Sequence, residues 1–306
     1  MRKIAVGWTI LCAPGLIGCN TDVGPLLLMP TAQFRTLPST LNYPYDAKKL
    51  TASDGSTIGV WSIAAKGTAR GTVVIMPSAD DNKGRYSLFL PIFVDKGWNV
   101  VLYDYSGFGD STGTADLDGV LASSRAVLDD TFAKEQVVVG YGFSMGSSVL
   151  GRLAVDYPFA ACIFESMGDL WQIGGDAVGF ANLPAPLGTV ANFVIQSNTS
   201  DDWDMTKWIT QIPSPKLFLH STNDSFTPWE STWEIFKMAN DPKNMIAMPG
   251  EHAQDIFEDP GMYRSLINGW LEGALKLDPI QTPGYQQLLT DERNATLAEF
   301  GLTPPN

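Results

Sequence analysis

A run of β-branched residues that ends in a glycine-flanked serine most constrains what this chain can fold into. Residues 137–139 are all valine, Gly142-Phe143-Ser144-Met145-Gly146 follows, and apolar residues at helical spacing come next. This strand–turn–helix order is typical of a nucleophile elbow. Glycine is expected at 142 and 146 because side chains there would collide with the adjoining strand and helix. We therefore predict that Ser144 is a nucleophile, against the alternative of a glycine-rich turn that happens to contain a serine.

The order of the strands along the chain indicates which residues could assist this serine. A serine nucleophile needs a general base, usually histidine, and an acidic group that orients the base. The chain has two histidines. Asp224 follows the apolar run 215–220, and His252 follows the strand-like run 244–248. Because the carboxyl ends of parallel strands share one edge of a sheet, we expect Ser144, Asp224 and His252 to converge there.

Two other residues compete for these assignments. His220 is the alternative base, but its position at the end of a predicted strand favours a packed or hydrogen-bonded support for the acid loop. Glu165 follows the apolar run 160–164 and is the alternative acid. The spacing favours Asp224 and His252 over both.

A further motif precedes the elbow and carries a family resemblance. Residues 99–113, with Asp104-Tyr105, Gly107, Gly109, Ser111 and Gly113, are similar to a "DYRGYGxSxG" segment. Together with the elbow and the Asp224 and His252 segments, this motif resembles the α/β-hydrolase superfamily, and within it the BEM46-like serine hydrolases, over roughly residues 45–275. The resemblance implies that Ser144 is the nucleophile, Asp224 the acid and His252 the base, and that no cofactor is required.

The loop after the predicted strand 72–76 departs from that pattern. Relatives commonly carry a His-Gly pair there, whereas this chain has Pro77-Ser78-Ala79-Asp80-Asp81. The resemblance implies that the backbone N–H groups of Ala79 and Met145 form the oxyanion hole. Carboxylates close to a developing oxyanion oppose it. Asp80 and Asp81 are therefore expected to face solvent, to cap the following helix, or to adapt the site to a cationic or polar substrate.

The alternation of apolar segments predicts the fold class. Strands alternating with helices indicate an α/β protein with the α/β-hydrolase fold, in which a mostly parallel, twisted sheet carries helices on both faces. The first predicted strand is expected to form an antiparallel hairpin with the second. The predicted strands are 58–64, 71–76, 99–104, 136–141, 160–165, 215–220 and 244–248, and the predicted helices lie near 84–96, 116–133, 145–156, 229–239 and 260–275.

The amino terminus has the pattern of an export signal. A short basic start precedes the apolar stretch 4–17, and Leu16-Ile17-Gly18-Cys19 resembles a bacterial lipobox. These features predict a lipoprotein signal peptide over residues 1–18, a lipid on Cys19 and a tether over 19–45. The alternative is an uncleaved anchor or an ordinary signal peptide. The predicted location is the bacterial cell envelope, with an outer-membrane anchor facing the periplasm.

Two further segments lie inside and after the predicted hydrolase domain, which spans residues 46–277. Residues 166–213 interrupt the strand–helix alternation above Ser144 and are rich in aromatic residues. We interpret them as a short lid or acyl-pocket wall to which Trp171, Phe180 and Trp203 contribute, against the alternative that these aromatics are core residues. Residues 278–306 are predicted to form a C-terminal appendage.

Charge and composition exclude several classes of function. The formal net charge is −13, which opposes binding to nucleic acid and to anionic lipid through surface charge. Two histidines and no Cys/His cluster make a catalytic metal site unexpected. Cys162 lies in an apolar run and is expected to be a small core residue.

These observations predict a membrane-tethered serine hydrolase that cleaves a small carboxylic ester or thioester through an acyl-enzyme. One alternative is a peptidase or amidase that uses the same three residues. The other is a binding lipoprotein that keeps the fold without catalysis. The sequence carries no indication of the oligomeric state.

Overall fold

The computed structural model describes residues 28–168, 201–248, 250–252, 256 and 260–277. Its centre is one eight-stranded sheet. The strands are β1 (Asp46–Thr51), β2 (Thr57–Ile63), β3 (Thr72–Met76), β4 (Asn99–Tyr103), β5 (Val138–Phe143), β6 (Ala161–Glu165), β7 (Lys216–Ser221) and β8 (Lys243–Met248). Their order in the sheet is β1-β2-β4-β3-β5-β6-β7-β8. Strand pairs β1–β2 and β2–β4 are antiparallel, and every other neighbouring pair is parallel.

Helices follow most of the parallel strands. The helix that follows β4, Leu117–Phe132, has Asp116 as its N-cap residue, and the Asp116 side chain accepts a hydrogen bond from Gly119 N at 2.6 Å. In the described part of the chain the α-helices are α1 (Leu90–Phe93), α2 (Leu117–Phe132), α3 (Met145–Leu153), α4 (Met205–Trp208), α5 (Trp229–Met238) and α6 (Pro260–Leu275). Short 3-10 turns occupy Pro38–Leu41, Arg85–Phe89, Val94–Lys96 and Asp201–Trp203.

Successive side chains of each buried strand point to opposite faces of the sheet, so the core consists of two apolar clusters, one on each face. In β3, Val74 and Met76 join one cluster with residues of α2, α3 and α5. Val73 and Ile75 join the other with residues of α1 and α6. Helices therefore cover both faces of the sheet, which confirms the predicted α/β fold. Strands buried on both faces are expected to be continuous apolar runs, as these are. Cys162 is fully buried in β6, and burial raises the pKa of its thiol to about 12.

One predicted strand pairing is wrong. Strand β2, which corresponds to the predicted strand 58–64, does not form a hairpin with β3. It pairs antiparallel with β4 on one side and forms the hairpin with β1 on the other. Strand β1 carried no signal in the sequence because it lies at the sheet edge and its side chains are mostly exposed. The predicted helix near 84–96 is a continuous series of 3-10 and α turns over residues 85–96, with Pro91 in the first turn of α1.

The later part of the predicted tether packs against the domain instead of standing free. Leu28 is buried in the apolar cluster that contains Val74, and Tyr43 is buried in the other cluster. We call residues 28–36 the strap, because the N–H of Met29 donates to Ala79 O at 2.8 Å and this stretch runs along the loop after β3. The sequence pattern did not predict these contacts because they join residues that are distant along the chain.

Several predictions fall on other parts of the chain. The signal peptide, Cys19, Trp171, Phe180 and the C-terminal appendage lie outside the described residues. Trp203 is described, and its side chain is buried in the apolar cluster that contains Met205 and Ile209. This position agrees with the alternative that Trp203 is a core residue and not part of a pocket wall. Within the part of the chain that the structure describes, no helix is long and apolar enough to cross a membrane.

Candidate active site

Ser144 occupies the sharp turn between β5 and α3. Its backbone φ of 54° and ψ of −118° are strained for a residue with a side chain. The turn is fixed from β6, because the N–H of Ser144 donates to Glu165 O at 2.9 Å. The glycines on both sides are required as predicted. A Cβ on Gly142 would lie 2.5 Å from Gly146 O, and one on Gly146 would lie 2.0 Å from Met76 O.

Gly146→Ala is therefore expected to lower the free energy of unfolding by about 3 kcal/mol or more, because the new methyl would meet backbone that cannot move aside. Urea unfolding measures this change. Gly151→Ala in the same helix is the matched control, since its methyl would meet the flexible ends of Met205 and Met167 and no backbone atom. If both variants are equally stable, α3 is not pressed against the end of β3.

The three residues predicted from the strand ends form one hydrogen-bonded chain. His252 Nε2 lies 3.1 Å from Ser144 Oγ, and His252 Nδ1 lies 2.7 Å from Asp224 Oδ2. Ser144 is 8% and Asp224 6% exposed, while the His252 side chain is 24% exposed. A carboxylate can only accept, so the neutral imidazole carries its proton on Nδ1 and Nε2 is free to accept from the serine hydroxyl. The arrangement suits proton transfer from Ser144.

The Asp224 carboxylate is held by its own loop. Oδ1 accepts the N–H groups of Phe226 at 2.9 Å and Thr227 at 2.8 Å, and Oδ2 accepts the Thr227 hydroxyl at 2.7 Å. Burial alone raises the pKa of Asp224, but the hydrogen bond and charge of His252 and the Thr227 donors outweigh it and hold that pKa below its usual value. The carboxyl is thus ionised at neutral pH.

Thr227 was missed by the sequence reasoning. Besides its bonds to Asp224, its hydroxyl lies 3.1 Å from His252 Nδ1. The only signal was its place three residues after an aspartate, a spacing at which Asp side chains often organise a turn. That spacing predicts a loop but does not reveal that the threonine contacts the histidine.

The two competing residues face elsewhere. His220 is fully buried, its Nε2 donates to Thr227 O at 2.8 Å, and its Nδ1 lies 2.9 Å from Thr232 Oγ1. Burial lowers the pKa of His220, and its Nε2 lies 3.6 Å from Asp224 Oδ2. It therefore lies behind the acid loop. The Glu165 carboxylate is buried and accepts the hydroxyl groups of Tyr141 and Tyr263.

The loop after β3, residues 77–83, lies against the amino-terminal end of α3. A Cβ on Gly146 would be 2.7 Å from Pro77 O, so the loop that contains Ala79 adjoins the turn that contains Met145. Ala79 is partly buried and Met145 is 2% exposed. This proximity is what an oxyanion hole shared between Ala79 and Met145 requires.

The two aspartates of this loop are offset by arginines. Asp81 is buried, and its Oδ2 lies 3.1 Å from Arg35 Nε. Arg85 Nη1 lies 3.8 Å from Asp80 and 3.9 Å from Asp81. Neither aspartate caps the next turn, since the 3-10 turn Arg85–Phe89 has no side-chain cap at its N-cap position. The positive charges of Arg35 and Arg85 reduce the repulsion that these carboxylates would exert on a nearby oxyanion.

The Asp104 motif supports the same loop through a lysine that the sequence reasoning also missed. Lys83 is fully buried, donates to the carboxylates of Asp104 and Asp110, and lies 4.6 Å and 4.7 Å from the ring centres of Phe34 and Trp61. Such a buried charge is tolerated because it is paired and faces aromatic rings. Within the described residues, no cluster of His, Cys, Asp or Glu is suited to hold a metal ion.

Comparison with known proteins agrees with this fold. The family model described as "Alpha/beta hydrolase family" matches residues 73–300. The chain therefore belongs to the alpha/beta hydrolase family. It is similar to the uncharacterized protein YfhR of Escherichia coli, with 27% identity over 76% of this chain and 83% of that protein. It is also similar to the uncharacterized protein YqkD of Bacillus subtilis, with 25% identity over 66% of this chain and 71% of that one.

Solved structures share the architecture at low sequence identity. The esterase Pf2001 of Pyrococcus furiosus matches with a TM-score of 0.65 and 20% identity, over 81% of this chain and 98% of that one. XC6422 of Xanthomonas campestris, described as an a/b serine hydrolase without lid, matches with a TM-score of 0.56 and 16% identity, over 84% of this chain and 99% of that one. At these identities the likeness shows the fold. Membership of the alpha/beta hydrolase family is what supports hydrolase function.

Proposed function

We propose that this protein is a serine hydrolase that cleaves a carboxylic ester or thioester through an acyl-enzyme. The observation that carries the proposal is the hydrogen-bonded chain from Ser144 through His252 to Asp224, with Ser144 on a strained turn at the start of a helix. Strain of this kind is retained in proteins where function needs it. The partly exposed His252 gives a small-molecule ester an approach to the serine.

The chemistry that these residues support has two halves. His252 Nε2 takes the hydroxyl proton as Ser144 Oγ attacks the acyl carbon, and Asp224 stabilises the resulting imidazolium. The amides of Ala79 and Met145 bind the tetrahedral oxyanion. Collapse expels the alcohol or thiol, which takes the proton from His252. Water then attacks the acyl-enzyme, gives a proton to His252, and the carboxylic acid leaves as Ser144 recovers its proton.

The finer identity of the protein is part of the same proposal. The Asp104 motif supports membership of the BEM46-like group, and the amino-terminal pattern supports a lipid anchor on Cys19 in the bacterial cell envelope. Anchoring is tested by fractionation. Wild-type protein is expected in the membrane fraction and Cys19→Ser in the soluble fraction. Equal distribution of both would contradict the anchor and leave the hydrolase proposal intact.

Labelling with a fluorophosphonate tests the hydrolase proposal directly. The wild-type protein is expected to gain one covalent adduct, which peptide mass spectrometry locates on Ser144, and to hydrolyse p-nitrophenyl esters faster than the matching anilides. Faster cleavage of anilides would instead favour a peptidase or amidase. A folded protein that neither reacts with the label nor cleaves either substrate would favour a binding protein without catalysis.

A further inference from the structure

The amide N–H of Ala79 belongs to a peptide group whose preceding neighbour is fixed by two buried tyrosines. Tyr105 Oη donates to Pro77 O at 2.8 Å, and the N–H of Ser78 donates to Tyr86 Oη at 2.7 Å. Burial raises the pKa of Tyr105 well above its usual value, so its phenol remains a donor at neutral pH. Both ends of the 77–78 peptide are therefore held from the core.

The following peptide group is fixed from outside the loop, by the strap. Ala79 O accepts the N–H of Met29 at 2.8 Å. Because each peptide group is planar and rigid, fixing the planes before and after the 78–79 peptide restricts the directions in which the Ala79 N–H can point. A strap that served only as a linker would not need a backbone donor at this position.

Asn82 fastens the strap to the loop. This residue is fully buried, and its Nδ2 donates to Thr31 O at 3.2 Å, Thr31 Oγ1 at 3.1 Å and Gln33 O at 2.9 Å. Gly109 N also donates to Thr31 O, at 2.8 Å. The ion pair between Arg35 and buried Asp81 adds a third connection between strap and loop. The strap is therefore held along its length on the loop that contains Ala79.

We propose that the strap is a positioning element of the oxyanion hole: its Met29 N–H holds Ala79 O, and the Asn82 side chain of the loop holds the strap in place. This inference rests on the proposed function, since it assigns to residues 28–36 the orientation of a donor in that same site. The strap acts through Ala79 and does not touch the reacting atoms. Its loss reduces stabilisation of the oxyanion while Ser144, His252 and Asp224 remain in place.

Met29→Pro tests the inference in the full-length protein, because it removes the single N–H that reaches Ala79 O. Met29→Ala is the matched control: it changes the same exposed side chain but keeps the N–H. We expect Met29→Pro to lower kcat for a p-nitrophenyl ester about 10- to 100-fold, with little change in KM. The pH profile should not move. The inhibition constant of a trifluoromethyl ketone, whose adduct with Ser144 carries an oxyanion, should rise by the same factor.

Asn82→Ser provides an independent test from the loop side. It removes the Nδ2 donor that holds Thr31 and Gln33 and adds no charge near the oxyanion, and its hydroxyl can still accept the N–H of Gly84. Thr40→Ala, which removes a hydroxyl bonded only to Leu37 O among the described contacts, is its control. Folding is checked for every variant by thermal unfolding.

The outcomes separate the two proposals. Wild-type protein that shows no labelling and no hydrolysis would overturn the proposed function. An active wild type, with folded Met29→Pro and Asn82→Ser proteins that match it in kcat and in inhibitor affinity, would overturn the strap inference alone. A parallel loss of kcat and inhibitor affinity in both variants, with both controls unchanged, would support it.

Discussion

Ser144→Ala is expected to lower kcat/KM for ester hydrolysis by about 10⁴-fold or more. The substitution removes the hydroxyl that lies 3.1 Å from His252 Nε2 and is placed to attack an acyl carbon, while the backbone donors of the site remain. The residual rate is expected to come from substrate binding and the oxyanion hole. Steady-state hydrolysis of a p-nitrophenyl ester measures the effect, and fluorophosphonate labelling should disappear in parallel.

Ser148→Ala is the matched control for that experiment. Ser148 lies one turn further along α3, and its buried hydroxyl donates to Gly168 O at 3.1 Å. This variant loses a hydroxyl from the same helix without altering the Ser144–His252 contact, so labelling and turnover are expected to persist. If Ser144→Ala keeps most of the activity in a folded protein, Ser144 is not the nucleophile.

Asp224→Asn is expected to lower kcat/KM by about 10³- to 10⁴-fold. All the described partners of the two Asp224 oxygens are donors: two backbone N–H groups, the Thr227 hydroxyl and His252 Nδ1. The amide nitrogen that Asp224→Asn introduces would replace one of these two oxygens, and at either position it would face a donor. If it faces His252, it favours the tautomer with the proton on Nε2, which cannot accept from Ser144. If it faces the backbone, the loop loses its acceptor.

Asp54→Asn is the control for this substitution. Asp54 organises a remote turn in a similar way, accepting Ser56 N at 2.8 Å and Ser56 Oγ at 2.9 Å. The Asp54→Asn substitution should change neither kcat/KM nor the pH profile. Unchanged activity in a folded Asp224→Asn protein would mean that the acid function belongs to another residue, and Glu165 would be the first to test.

The residues of the candidate site could be predicted because a parallel sheet places its carboxyl strand ends along one edge. Ser144, Asp224 and His252 follow β5, β7 and β8, and each strand was visible as an apolar run. The glycines at 142 and 146 could be predicted for a local steric reason. These features depend on neighbouring residues and on one general property of α/β sheets.

What could not be predicted depends on contacts distant in sequence. The strap reaches Ala79 through a backbone N–H, which any residue but proline supplies, so its side chains give no sign of the contact. Lys83 is read from the sequence as a surface residue, since lysine is rarely buried. The strand pairing was wrong because proximity along the chain favoured β2 with β3, whereas β4 lies between them.

Strand β1 has a consequence for the behaviour of the protein at high concentration. It is the outermost strand at one side of the described sheet, and it presents Lys48 and Lys49, which pair with Asp130 and Asp110. A neighbouring molecule that tried to extend the sheet would have to strip water from these lysines and separate them from their aspartates. Charged borders of this kind discourage intermolecular strand addition, so a high protein concentration should not convert this border into an aggregation seed.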